Sequence, residues 1–269
     1  LKLILARLCS QHGRPARRSP TFVIEAMGAT VSTVAGCECG RGRDKDGGTP
    51  GSKIQLASAI TGHVFELGFS SLGAPGAKAV AAMLPRHHLV TACSLRYNSM
   101  GDAGCRAILH ALPKTNIEDL DLRGNGMGPA SMKELVAVLP KSKVRILRLS
   151  NNDIGDEGVR LLAEGLAGLK LVVLHIACNG ISGVGAKALA EVLPECTNLK
   201  ELGLENNSFG IEGVMALAEV LPRSTLCKID LRKTGINDKA NEALQEVSRG
   251  LKGALRIKGL NHGTPRLEE

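Results

Sequence analysis

The hydrophobic positions of this chain recur with a long period as well as a short one. In LRLSNNDIGDEG, residues 147–158, leucines stand two apart, as a half-buried strand requires, and an asparagine then precedes another apolar residue. The order L-x-L-x-x-N-x-apolar, with isoleucine for the second leucine once, returns at 120–127, 147–154, 174–181 and 202–209. Substituted versions stand at 65–72, 93–100 and 229–236. The asparagine slot therefore falls at Ser70, Asn98, Asn125, Asn152, Asn179, Asn207 and Thr234, giving about seven units with a period of 27 or 28 residues.

Within each unit the periodicity then changes. Six residues past the slot stands a small residue and ten past it an apolar one, as at Gly104 and Ile108. Fourteen past it a leucine stands in six of the seven units, usually followed by proline, as at Leu112–Pro113. Those spacings share one helical face, and the proline stops the helix. Each unit thus reads as strand, turn, helix and stop. Such a unit cannot bury its apolar side alone, so neighbours must stack on a common core. The sharp turn from strand to helix leaves backbone groups that need partners inside that core. The amides of Asn98, Asn125, Asn152, Asn179 and Asn207 are expected to form a buried ladder, serving their own turn and that of the next unit. Ser70 and Thr234 would be its edges.

The period, the L-x-L-x-x-N-x-I core and the G-x-x-G before an A/L-rich helix, as in NNDIGDEGVRLLAEGL (151–166) and NGISGVGAKALAEVL (179–193), resemble the ribonuclease-inhibitor type of leucine-rich repeat. The resemblance covers about residues 65–250. It is shared by ribonuclease inhibitor, the sensing arms of NOD-like receptors and the GTPase-activating protein for Ran. It implies an α/β fold: a right-handed leucine-rich-repeat solenoid, or horseshoe, with a concave parallel sheet and convex helices. On this reading residues 53–269 form the repeat domain with its caps, 54–64 shielding the first unit and 251–269 the last. Residues 1–52 are a disordered or processed segment ending in a flexible linker.

Composition fits an aliphatic core, because aromatics make up 2% of the chain, with no Trp and one Tyr. No apolar run reaches the roughly 18 residues of a membrane-spanning helix. The net charge of +8 raises the question of nucleic acid. About half of it sits in residues 1–26, and the positions flanking the second leucine, taken to project from the concave sheet, carry both signs. Without a basic stripe or stacking aromatics, nucleic acid is a poor fit. A protein partner suits that mosaic better. The candidate contact residues are Arg96, Arg123, Arg148, His175, Glu205, Asp230 and Arg232. The alternative is that they are plain solvated strand residues.

Catalytic chemistry is thin. His87 and His88 lack a Cys or acidic partner at metal-ligand spacing, no phosphate-binding G-x-x-x-x-G-K-(S/T) loop occurs, and no nucleophile has a base nearby. The expectation is a non-catalytic, monomeric scaffold without cofactor or metal. Eight cysteines without paired knuckles suggest reduced thiols and a cytoplasmic location. The resemblance to the Ran activator makes regulation of a small GTPase the alternative, although that family's functional residues find no one-to-one match and its acidic tail is missing. Ribonuclease inhibition is disfavoured, since that inhibitor is acidic and aromatic-rich where this chain is basic and aromatic-poor.

The chain begins at Leu1, so it can be a fragment or carry residues upstream of a start at Met27. MGATVSTVAGCECG (27–40) matches the N-myristoylation pattern. If Met27 initiates, Gly28 would carry a myristoyl group and Cys37 or Cys39 the second anchor that stable membrane association needs. The alternatives are an accidental internal match and, from the Arg-rich first 26 residues, the end of a transit peptide.

Overall fold

The structure, a computed structural model, describes residues 59–260 with their side chains. Before them it gives the backbone of three short strands, Phe22–Ala26 (β1), Ala29–Val31 (β2) and Ser52–Gln55 (β3). β1 pairs antiparallel with β2 and parallel with β3, in a sheet of their own.

The repeats build a nine-stranded sheet. It opens with a hairpin, Ile60–Thr61 (β4) and Val64–Glu66 (β5), whose two-residue turn contains Gly62 at φ +61°. A left-handed residue suits a two-residue hairpin turn, and glycine takes it without strain. Strands then follow in chain order: Ala92–Ser94 (β6), Asp119–Asp121 (β7), Ile146–Arg148 (β8), Val173–His175 (β9), Glu201–Gly203 (β10), Lys228–Asp230 (β11) and Arg256–Lys258 (β12). Each from β5 onward pairs parallel with the next. Register is uniform: Phe65, Cys93, Leu120, Leu147, Leu174, Leu202, Ile229 and Ile257 stand opposite one another, all buried. A slip of one residue would turn that whole row outward, so burial fixes the pairing.

Among the described residues seven helices return the chain across the other side: Gly73–Met83 (α1), Gly101–Ala111 (α2), Pro129–Val138 (α3), Gly155–Leu166 (α4), Gly183–Val192 (α5), Gly210–Val220 (α6) and Asp238–Gly250 (α7). Five of them run into a single tight turn on Leu-Pro, such as Leu112–Lys114 and Leu221–Arg223. Proline has no N–H to continue the helical ladder, and the last turn tightens. The final repeat differs, with Ser248–Arg249 where Leu-Pro would stand, and α7 runs on for 13 residues. β12 then adds the last layer of sheet.

The asparagines are buried and bonded across repeats. Asn152 Oδ1 accepts from the N–H groups of Asn125 (2.9 Å) and Met127 (3.0 Å), and its Nδ2 donates to the carbonyls of Leu122 (3.1 Å) and Leu149 (2.7 Å). Asn98, Asn125, Asn179 and Asn207 likewise bond to the turn of the repeat before them, as when Asn207 Oδ1 accepts from Asn179 N–H at 3.0 Å. Each amide serves the preceding unit, not the following one as the sequence suggested. The reason is geometric: the turn N–H groups of one unit point toward the next layer, where the next asparagine lies. Thr234 is buried too, but its hydroxyl donates to Leu231 O at 2.6 Å, inside its own unit.

Candidate functional site

Side chains alternate across a strand, so the residues on both sides of each buried central residue face away from the helices. This concave face carries a column that the sequence reading overlooked. It holds Asp119, Glu201 and Lys228, each one residue before the strand centre, because the strand centres on the first leucine of the motif and not on the second.

Most of the predicted anchors are paired within this face, two of them, Arg148 and His175, by that column. Arg148 pairs with Asp119 from the neighbouring strand, and His175 Nε2 lies 3.0 Å from Glu201 Oε1, which also receives Lys228 Nζ at 2.5 Å. Arg123 Nη2 lies 2.6 Å from Asp121 Oδ2, and Arg232 Nη2 lies 2.7 Å from Asp230 Oδ2. Asp230 is itself buried, with Lys258 Nζ at 3.7 Å, and Glu205 reaches Arg232 at 4.0 Å. Burial alone would push the Glu201 and Asp230 carboxyls up. Their bonds to Lys228 and His175, and to Arg232, outweigh it and hold both below the ordinary carboxylate values. The bond to Asp121 likewise raises Arg123. These charges spend their hydrogen-bonding capacity on one another, and a partner would have to share them.

The N-terminal end of the same face differs. Two residues past the second leucine position of each unit, the backbone turns left-handed: Phe69, Tyr97, Gly124, Asn151, Cys178, Asn206 and Lys233 all have φ between 52° and 67°. The turn is held by bonds such as Tyr97 N–H to Arg123 O, 2.7 Å. Gly and Asn are the usual residues there; a bulky side chain is a local misfit costing about 1–2 kcal/mol. At Phe69 and Tyr97 the chain accepts that cost twice in succession. Their rings stack at 4.7 Å with a 12° tilt, and Phe69 remains 68% exposed. Tyr97 lies so close over Gly124 that a Cβ there would come within 2.2 Å of Cδ1. Arg96 rests its stem on Gly68, holds its guanidinium 5.5 Å from the Phe69 ring centre, and pairs with Glu66 at 3.2 Å. The sequence carried the signal: in so aromatic-poor a chain, two of five Phe and Tyr residues occupy the same slot in adjacent repeats.

The buried thiols behind this face are unreactive. Burial pushes the Cys93 thiol well up, with Asp121, Glu66 and Asp119 adding to it, and burial with Asp102 raises Cys105 to about 12. Thiols that stay protonated are poor nucleophiles. Alkylation of the native protein with iodoacetamide at pH 8, read residue by residue by mass spectrometry, should label exposed Cys227 promptly and Cys93 and Cys105 only after unfolding. Labelling of Cys105 as fast as Cys227 would refute their burial. Among the described residues no cluster of three or more His, Cys, Asp or Glu could hold a metal, and no helix is long and apolar enough to cross a membrane. Gly28, Cys37 and Cys39 lie outside the described residues.

Comparison with known protein families agrees with this architecture. The family described as Leucine Rich repeat matches four consecutive segments, 114–136, 141–163, 169–190 and 195–218. A solved structure, leiomodin-1 actin-binding site 2, is similar at 21% identity over 46% of this chain and 71% of that one, with a TM-score of 0.39. No curated protein sequence matches.

Proposed function

We propose that this leucine-rich repeat protein is a non-catalytic scaffold that holds a partner protein on its concave face, anchored at the Phe69–Tyr97 stack. The stack is the observation that carries this reading. Exposed apolar rings cost solubility, and here they also cost backbone strain, so the fold gains nothing from them that Asn or Gly would not supply better. Aromatic and arginine side chains dominate the energetics of protein interfaces. Arg96, pinned beside the rings by Glu66 and Gly68, is already ordered and would lose little entropy on binding. Arg123, Arg148 and Arg232 then act as a rim that sets orientation through the paired charges around them.

Affinity capture from cell extract with the full chain, beside the Phe69→Ala/Tyr97→Ala double variant, tests this. The expected result is a protein retained by the parent and lost from the variant, with binding weakened about 30-fold or more. The melting curve should stay near that of the parent, since both rings lie outside the core. Identical captured sets would overturn the concave-face reading. A small GTPase among the lost proteins would move the function to GTPase regulation and call for a GTP hydrolysis assay.

A further inference from the structure

On the opposite, convex side, a groove of about 920 Å³ runs between α6 and α7. Its floor is apolar: Met215, Ala243, Val247 and Leu251 pack on the core yet stay half exposed. The final repeat explains why it opens here. Val220, just before the Leu-Pro turn of α6, is buried, whereas its counterpart Val247 is followed by Ser248 and a helix that runs on to Gly250. Without the buried leucine and the turn it anchors, the end of α7 leaves that floor uncovered.

Three carboxylates, Glu212, Glu219 and Glu246, and one cation, Lys187, line the groove. Lys187 is taken by Glu212 at 2.6 Å. Among the described residues neither Glu219 nor Glu246 has an ion-pair partner. An apolar trough with net negative charge is thus built into a chain whose overall charge is +8. We propose that this groove is a second docking site, taking a short basic amphipathic segment of a partner protein: apolar side chains on the Val247–Leu251 floor, Lys or Arg against Glu219 and Glu246. Such a segment, laying one helical face in an apolar groove, follows a general mode of peptide recognition, and unpaired carboxylates at the rim would select its charge.

The probe is a labelled 14-residue peptide of leucines at i, i+3, i+4 and i+7 with lysines between them, against a twin with glutamate for lysine; fluorescence anisotropy is read with the full chain. The lysine peptide should bind and the glutamate twin should not. Glu219→Lys/Glu246→Lys should weaken binding about tenfold or more, equivalent to about 1.4 kcal/mol. Val247→Ser should also weaken it, whereas Glu157→Lys on α4 should leave it unchanged. Binding that survives the double reversal, that ignores Val247→Ser, or that falls as much with Glu157→Lys would reduce the effect to general charge attraction and overturn the site. Stronger binding by a peptide of the chain's own basic residues 1–18 would assign the groove to an internal occupant. A dimer that the double reversal abolishes would assign it to a second copy. Either result also overturns the partner proposal.

Discussion

Replacing Asn152 with leucine is expected to cost the solenoid about 4 kcal/mol of stability. The side chain is buried and its amide makes four close bonds to backbone groups in two repeats, besides a longer one of 3.4 Å to the Ser150 carbonyl, which also accepts from Gly124 N–H. Two of these lose little, because the Leu122 carbonyl keeps a bond from Asn125 Nδ2 (3.0 Å) and the Leu149 carbonyl one from Asn179 Nδ2 (3.1 Å). The N–H groups of Asn125 and Met127 are left without an acceptor in a dry turn, at about 1–3 kcal/mol each. Each repeat touches only its neighbours, so the damage falls on one interface. The urea transition of the full chain, followed by circular dichroism, should move to lower urea and broaden as the halves before and after residue 152 uncouple. A change below about 1 kcal/mol would mean that water replaces the amide, contrary to a buried ladder.

How far the sequence foretells this molecule depends on whether a feature repeats. The strand register and the helix-facing small residues recur in all seven units and the Leu-Pro stops in five, and each recurrence is independent support for the same unit. The asparagines were legible as buried for the same reason, but not the direction of their bonds, since a regular pattern looks alike from either neighbour. What the repeat does not show is where one unit departs from the rest. The ion pairs on the concave face depend on which residues oppose one another across strands. Asp119 beside Arg148, or Glu201 between His175 and Lys228, follows only once the strand centre is placed on the first leucine. The Phe69–Tyr97 stack needs the left-handed turn that swings both rings to one edge, a conformation their residue types argue against. The convex groove arises from one missing leucine, at Ser248, whose effect lies in the packing of α7 and not in any motif.

The small-residue column leads to the second large effect. Gly213→Val should destabilise the protein by about 3 kcal/mol, although valine is the better helix former of the two. The contact decides the sign. A Cβ on Gly213 would stand 2.9 Å from Gly183 Cα and 2.9 Å from Ala186 Cβ, both on α5, and 3.1 Å from Phe209 Cβ. None of these atoms is the movable end of a long side chain, so relief requires α5 and α6 to separate. Gly250→Ala in the last turn of α7 gives the opposite case. A Cβ there meets nothing within 4 Å, and the gain of about 0.5–1 kcal/mol from a stiffer unfolded chain should survive. Ser131 and Ala240 occupy the same column and do carry a Cβ. At Ser131 the hydroxyl is held by the Asp102 carboxylate across the α2–α3 contact, so spacing there is set by a bond as well as by close approach. Opposite signs for the two glycine variants in chemical denaturation would therefore tie helix spacing to atoms at Gly213. If both variants stabilise, the column reflects composition alone, and the close approach of α5 to α6 is not what holds the repeats together.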